Sequence, residues 1–133
     1  YASNSPVVTS TRTGTRDFSF QDKEFLYVDS YFGNKDFIGE EVVYKGDTII
    51  WGMNYYGRML TGIVPAGFSD FLKKALREVS SENPFRGPDI LQDGLFEYLC
   101  SWEGDLANFS GLETISHQGR IIYRLVFHGG QIT

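Results

Sequence analysis

Residues 29–57, DSYFGNKDFIGEEVVYKGDTIIWGMNYYG, decide how this chain reads. Three apolar-polar alternating runs are divided by Gly33-Asn34-Lys35-Asp36 and by Gly46-Asp47. Alternation with period two marks half-buried strands, and Gly-Asn and Gly-Asp pairs supply the positive backbone angles that tight hairpins require. The runs are rich in tyrosine and tryptophan, and they hold acidic residues inside the strand pattern rather than at its ends. That mixture is the chemistry of a binding surface, with apolar walls and a few polar anchors.

Working outward, Phe18 to Phe20 and Phe25 to Phe32 precede the last two of these runs, Phe37 to Lys45 and Thr48 to Tyr56, as strands of a meander. After Pro65 the period changes. Phe68, Phe71, Leu72, Ala75, Leu76 and Val79 fall on one side of a helix, and Ser69, Asp70, Lys73, Lys74, Arg77 and Glu78 on the other. Residues 80–94, SSENPFRGPDILQDG, are broken by two prolines and two glycines and read as a loop. Leu95 to Trp102, Asn108 to Ser116 and Arg120 to His128 close the chain as three further strands. The expected fold class is therefore α+β: a curved antiparallel meander sheet of four strands, a helix, then three strands, packed on one main helix. Residues 1–133 form a single domain, with 1–16 (YASNSPVVTSTRTGTR) as an extended N-terminal arm and 17–133 as the core.

Composition narrows the function classes. Twelve Lys and Arg against seventeen Asp and Glu give a net charge of −5, the wrong sign for direct contact with a nucleic acid backbone. No apolar run reaches the roughly 18 residues of a membrane span, so a membrane partner is not expected. Cys100 is the one cysteine, which rules out an internal disulfide and suits a cytoplasmic location. It alternates with Phe96, Tyr98 and Trp102, as a buried, inert thiol would. No catalytic nucleophile motif, phosphate loop or metal-ligand spacing is present, and no cofactor is expected. Tyr1 is not a start methionine, which suggests that something precedes it.

Turn lengths set strand register, and register decides which residues share a face. A two-residue turn at Gly46-Asp47 and a four-residue turn at Gly33 to Asp36 place Asp29 opposite Glu40, Tyr31 opposite Ile38, Val42 opposite Trp51 and Ile38 opposite Tyr55. One face then carries Tyr27, Asp29, Tyr31, Ile38, Glu40, Val42, Tyr44, Trp51, Met53 and Tyr55. Like charges directly across a ladder are destabilising, so the Asp29–Glu40 pair calls for a bound cation or amine, a shared proton, or an arginine such as Arg86 or Arg124 lying over it. The candidate ligand site is Asp29, Tyr31, Glu40, Trp51 and Tyr55, with Arg86 as a clamp from the proline-flanked loop or simply a loop-to-sheet salt bridge. The opposite face, with Gly39 and Gly52, is the expected seat of the helix. It also carries Glu41 and Asn54, and with His128 these form a second candidate cluster. In the last hairpin the turn at Gln118-Gly119 sets Glu113 opposite Arg124 as an ion pair.

The phrases DSYFG (29–33), FIGEEVVY (37–44), WGMNYYG (51–57), FRGP (85–88), GDLANFSGLE (104–113) and FHGG (127–130) resemble an uncharacterised bacterial family, one of the domains of unknown function. The resemblance implies a stand-alone small protein or the C-terminal partner of a helix-turn-helix DNA-binding module, in the manner of one-component regulators. This chain lacks that module. The expected function is a sensor-like small-molecule-binding or interaction domain. The rival is a small enzyme using paired carboxylates as general acid and base. Self-association of the tyrosine-rich face into a homodimer is a third reading.

Overall fold

The computed structural model describes residues 7–8, 11–82 and 84–133; most of the arm proposed for residues 1–16 lies outside them. Among the described residues the strands are β1 (Val7–Val8), β2 (Arg16–Asp22), β3 (Phe25–Gly33), β4 (Asp36–Lys45), β5 (Thr48–Met59), β6 (Ile90–Asp93), β7 (Phe96–Asp105), β8 (Asn108–His117) and β9 (Arg120–Gln131). A single helix, α1 (Phe68–Arg77), separates β5 from β6. The strands join in one antiparallel sheet of order β1-β2-β3-β4-β5-β9-β8-β7-β6. Two meanders thus meet at the β5–β9 seam: the chain runs inward to β5, crosses along α1 to the far edge, and meanders back until β9 docks on β5.

The fold is mainly β, and the α+β expectation with a main helix is met only in part. α1 has ten residues and ends at Arg77, leaving Val79 44% exposed. The segment expected to be a loop contributes the edge strand β6, paired with β7. α1 buries Phe68, Phe71, Leu72 and Ala75, stacking Phe71 on Phe96 at 5.1 Å and tilting Phe68 onto Tyr123 at 5.5 Å. Asp70 in its first turn and Lys74 and Arg77 in its last complement the helix dipole.

The register differs from that expected, and the faces change with it. Gly33 pairs with Phe37, so the turn holds three residues, and Asp29 opposes Glu41 rather than Glu40. In the next hairpin Tyr44 opposes Ile49 as expected, but Val43 opposes Trp51: a bulge at Ile50 advances β5 by one residue. The two shifts compensate. β3 and β5 keep their expected relation, while β4, lying between them, is turned over. Side chains alternate along a strand, so a one-residue slip exchanges every one of β4's inner and outer positions. The inner face carries Tyr27, Asp29 and Tyr31, then Phe37, Gly39, Glu41 and Val43, then Trp51, Met53, Tyr55 and Gly57. The same face continues through Phe127, Leu125 and Tyr123 of β9, Phe109, Glu113 and Ile115 of β8, and Tyr98 and Cys100 of β7.

The helix therefore packs on the tyrosine-rich face and not, as expected, on the face of Leu26 and Val28. The inner face bears the larger rings, and its burial removes more apolar surface from water. A second bulge, at Ile122, makes Glu113 oppose Leu125, so Arg124 points away from Glu113 and the expected ion pair does not form. Cys100 is buried among core rings as expected.

Candidate functional site

Three carboxyl groups lie on the inner face: the buried Asp29 on β3 and Glu113 on β8, and Glu41 on β4 with 12% of its side chain exposed. One guanidinium, Arg86, descends onto them from the loop before β6. Its side chain is 9% exposed, a depth fixed by the preceding residue: Phe85 inserts between Phe109 at 4.1 Å and Trp102 at 4.7 Å. Arg86 donates through Nε to Glu113 Oε2 at 3.1 Å and through Nη2 to Glu113 Oε1 at 3.2 Å, the two-pronged geometry that suits a carboxylate. Tyr98 and Tyr123 donate their hydroxyls to the same carboxyl at 2.6 and 2.8 Å. Glu113, fully buried, thus accepts four hydrogen bonds, about the capacity of a carboxylate.

Arg86 has one nitrogen left, and Nη1 stands 3.7 Å from Glu41 Oε1. Burial pushes the Glu41 carboxyl up to about 7, despite the opposing pull of Arg86 and a hydrogen bond from Tyr27. Asp29, opposite Glu41 on the ladder, is also held above the usual carboxylate range by burial, against the hydrogen bond it accepts from Tyr55 at 2.6 Å. The phenols of Tyr27 and Tyr55 are raised by the same burial and by the neighbouring carboxylates, so both remain protonated donors at neutral pH.

Gly39 makes the Tyr55–Asp29 bond geometrically available. A Cβ built there would stand 2.5 Å from Cζ and Oη of Tyr55. The bare backbone of β4 lets the phenol cross it to reach Asp29 on β3. Gly39→Ala is expected to cost about 1–3 kcal/mol through this overpacking, measurable by urea denaturation, and to break the Tyr55–Asp29 bond.

A recess of about 120 Å³ opens beside Asp29, lined by Arg16, Tyr31, Phe37, Tyr55, Leu72, Leu76 and Arg86, with Gly33 and Asn34 at its rim. Sheet residues form its aromatic floor, α1 supplies the aliphatic wall, and Asp29, 6% exposed, is its buried carboxyl. Of the expected ligand-site residues, Asp29, Tyr31, Tyr55 and Arg86 meet here. Glu40 does not: it lies on the outer face, half exposed, 3.9 Å from Arg12. Trp51 shares the inner face but not the recess, because its indole donates to the Leu106 carbonyl at 3.0 Å and stacks on Phe109 at 5.6 Å. The second candidate cluster comes apart, with Glu41 inside and Asn54 and His128 paired on the exposed outer face. Glu113, expected as one half of a cross-strand ion pair with Arg124, is instead the carboxyl on which Arg86 and two phenols converge. The alternation Phe109, Gly111, Glu113, Ile115 was the signal that placed it on the core face.

Among the described residues no group of three or more His, Cys, Asp or Glu is arranged to hold a metal ion, and no helix is long and apolar enough to cross a membrane. An antiparallel sheet with a carboxyl-bearing recess beside a short helix defines the class structurally. Residues 29–132 match the family described as domain of unknown function DUF5680, and the chain belongs to that family. No curated protein and no solved structure matches the chain.

Proposed function

We propose that this domain binds a small molecule in the recess between the inner sheet face and α1, and serves as a sensor-like binding module. The observation that carries the reading is Asp29: a carboxyl almost wholly removed from solvent, raised by that burial, yet facing a space that the described residues leave unfilled. Buried ionisable groups cost stability, and an open recess forgoes packing contacts. Both costs at one place, among three aromatic rings, are those of a ligand site.

The acid-pair enzyme reading has one observation in its favour, the Glu41 carboxyl poised near neutrality. Glu41 is not on the recess wall, however, and among the described residues Asp29 is the only carboxyl there. Binding is therefore the better-supported function.

A fragment screen followed by amide NMR tests it. Hits are expected to move resonances of residues 29–33 and 54–56. The variant Leu76→Trp, which plugs the recess from the helix side, is expected to abolish those shifts while leaving the rest of the spectrum intact. Hits that map elsewhere, or survive the plug, would defeat the proposal.

A further inference from the structure

The inner face holds an unequal count of charge. Three carboxyl groups, Asp29, Glu41 and Glu113, face one guanidinium. Arg86 is spent on two of them, with Nε and Nη2 on Glu113 and Nη1 towards Glu41. What Asp29 receives from its neighbours is the neutral hydroxyl of Tyr55. The other cation on the recess, Arg16, sits at the mouth, exposed, with its guanidinium 5.8 Å from the Tyr31 ring centre and 3.5 Å from the Tyr31 hydroxyl.

From this arrangement, and resting on the binding reading above, we propose that the recess takes a small organic ammonium compound, its cationic nitrogen seated against Asp29 between the rings of Tyr31, Tyr55 and Phe37. Three properties select that class. Among the described residues Asp29 is hydrogen-bonded by the neutral Tyr55 and meets the charge of Arg86 only at a distance, so it gains from a ligand that brings a positive charge into direct contact. The rings of Tyr31 and Tyr55 each already carry a guanidinium, Arg16 at 5.8 Å and Arg86 at 5.4 Å, so the aromatic lining of this recess is one that accepts cations. The recess, about 120 Å³, is smaller than the usual ligand pocket of roughly 300–1,000 Å³, which suits a compact head group. A hydrated metal ion fits less well, since the recess offers one carboxyl and an apolar wall. Arg16 at the mouth can meet an anionic end, so a zwitterion with its ammonium inward suits the site as well as a simple amine.

Binding of a cation requires the charged form of Asp29 and so releases a proton wherever that carboxyl is protonated in the free protein. The described groups whose charge or titration acts on Asp29 are Tyr27 beside it on β3, Tyr55 from β5, Glu41 from β4, Arg86 from the loop and, from the other face of β2, Asp17, with Arg16 at the mouth. Of these, Glu41 also titrates, near 7. Its ionisation adds negative charge behind Asp29 and strengthens cation binding in the same direction. Affinity is therefore expected to rise with pH.

The test compares four three-carbon probes by amide NMR and calorimetry: propylammonium chloride, β-alanine, 1-propanol and sodium propionate. The expected result is binding of propylammonium or β-alanine with shifts at residues 29–33 and 54–56, tighter at pH 8 than at pH 5. Asp29→Asn should weaken it about ten- to hundredfold, the range for losing a hydrogen bond to a charged group. Glu41→Gln should retain binding but flatten its pH dependence, which keeps the result readable if Asp29→Asn folds poorly. Binding of propanol or propionate at the same resonances, without the ammonium probes, would overturn the ligand class and leave the recess as a binding site. No response to any of the four would count against both.

Discussion

Replacing Glu113 with alanine is expected to destabilise the protein by about 3–5 kcal/mol, because the change strands a guanidinium and two phenols in the core. In the native protein Arg86, Tyr98 and Tyr123 converge on this one fully buried carboxyl. Removing it deprives Arg86 of its two-pronged partner, and burial then works against the charge that Glu113 had sustained. The phenols keep their burial and lose their acceptors, each at a further cost of about 1–3 kcal/mol for an unsatisfied group, although such costs do not add fully. With a domain stability of typically 5–15 kcal/mol, the variant should show a large fall in urea midpoint or fail to fold. The double variant Arg86→Met with Glu113→Leu is expected to recover much of the loss, since an apolar replacement leaves no buried charge behind. If the single variant lost less than about 1 kcal/mol, the network would not be the anchor that fixes the 84–88 loop on the sheet.

Glu41→Gln is expected to do the reverse and raise stability at pH 8 by roughly 3 kcal/mol, since each tenfold difference in proton affinity between folded and unfolded chains is worth ~1.4 kcal/mol. The folded-state value is about 7 against an ordinary 4.5, so the folded protein holds this proton more tightly than the unfolded chain does. The group's full contribution is present below about 4.5 and declines as pH rises towards 7, where the ionised carboxylate must be kept in the core. Glutamine reproduces the neutral form at every pH and can still accept from Tyr27. Denaturation at pH 5 and pH 8 should show wild type losing stability between the two and the variant nearly level, apart from the smaller slope that Asp29 contributes in the same direction. An equal slope in both proteins would mean that Glu41 is not the titrating group. A gain in stability from losing a carboxyl is the pattern of a residue retained for something other than folding.

The sheet, its turns and the helix were legible in the chain because each rests on a local period. Phe68 to Leu76 repeat as a helix does, and the hairpins at Gly46-Asp47 and Gln118-Gly119 announce themselves by residues that accept positive φ. Even the grouping of Tyr31, Tyr55 and Asp29 survives, since β3 and β5 return to their expected relation after two shifts. What failed was parity. Ile50 and Ile122 look like any other strand residue, yet each is the extra one in a bulge, and the turn after Gly33 is one residue shorter than it reads. Those three single-residue differences sent Glu40 to solvent, drew Glu41 inside, separated Arg124 from Glu113 and seated the helix on the opposite face.

By itself, the sequence determined the main strands, the hairpin turns and the helix, though not the edge strand β6, and also that a proline-flanked loop would present Arg86 and that Asp29 would lie among tyrosines. Only the tertiary structure decided which carboxyls share the interior, that Glu113 rather than a ligand occupies the two prongs of Arg86, and that α1 leaves a recess beside Asp29. The physical reason is that secondary structure answers to forces a few residues long. Bulges and the pairing of β5 with β9 are instead settled by how the whole inner face packs, with Phe85, Phe109, Tyr123 and Phe127 competing for the same volume.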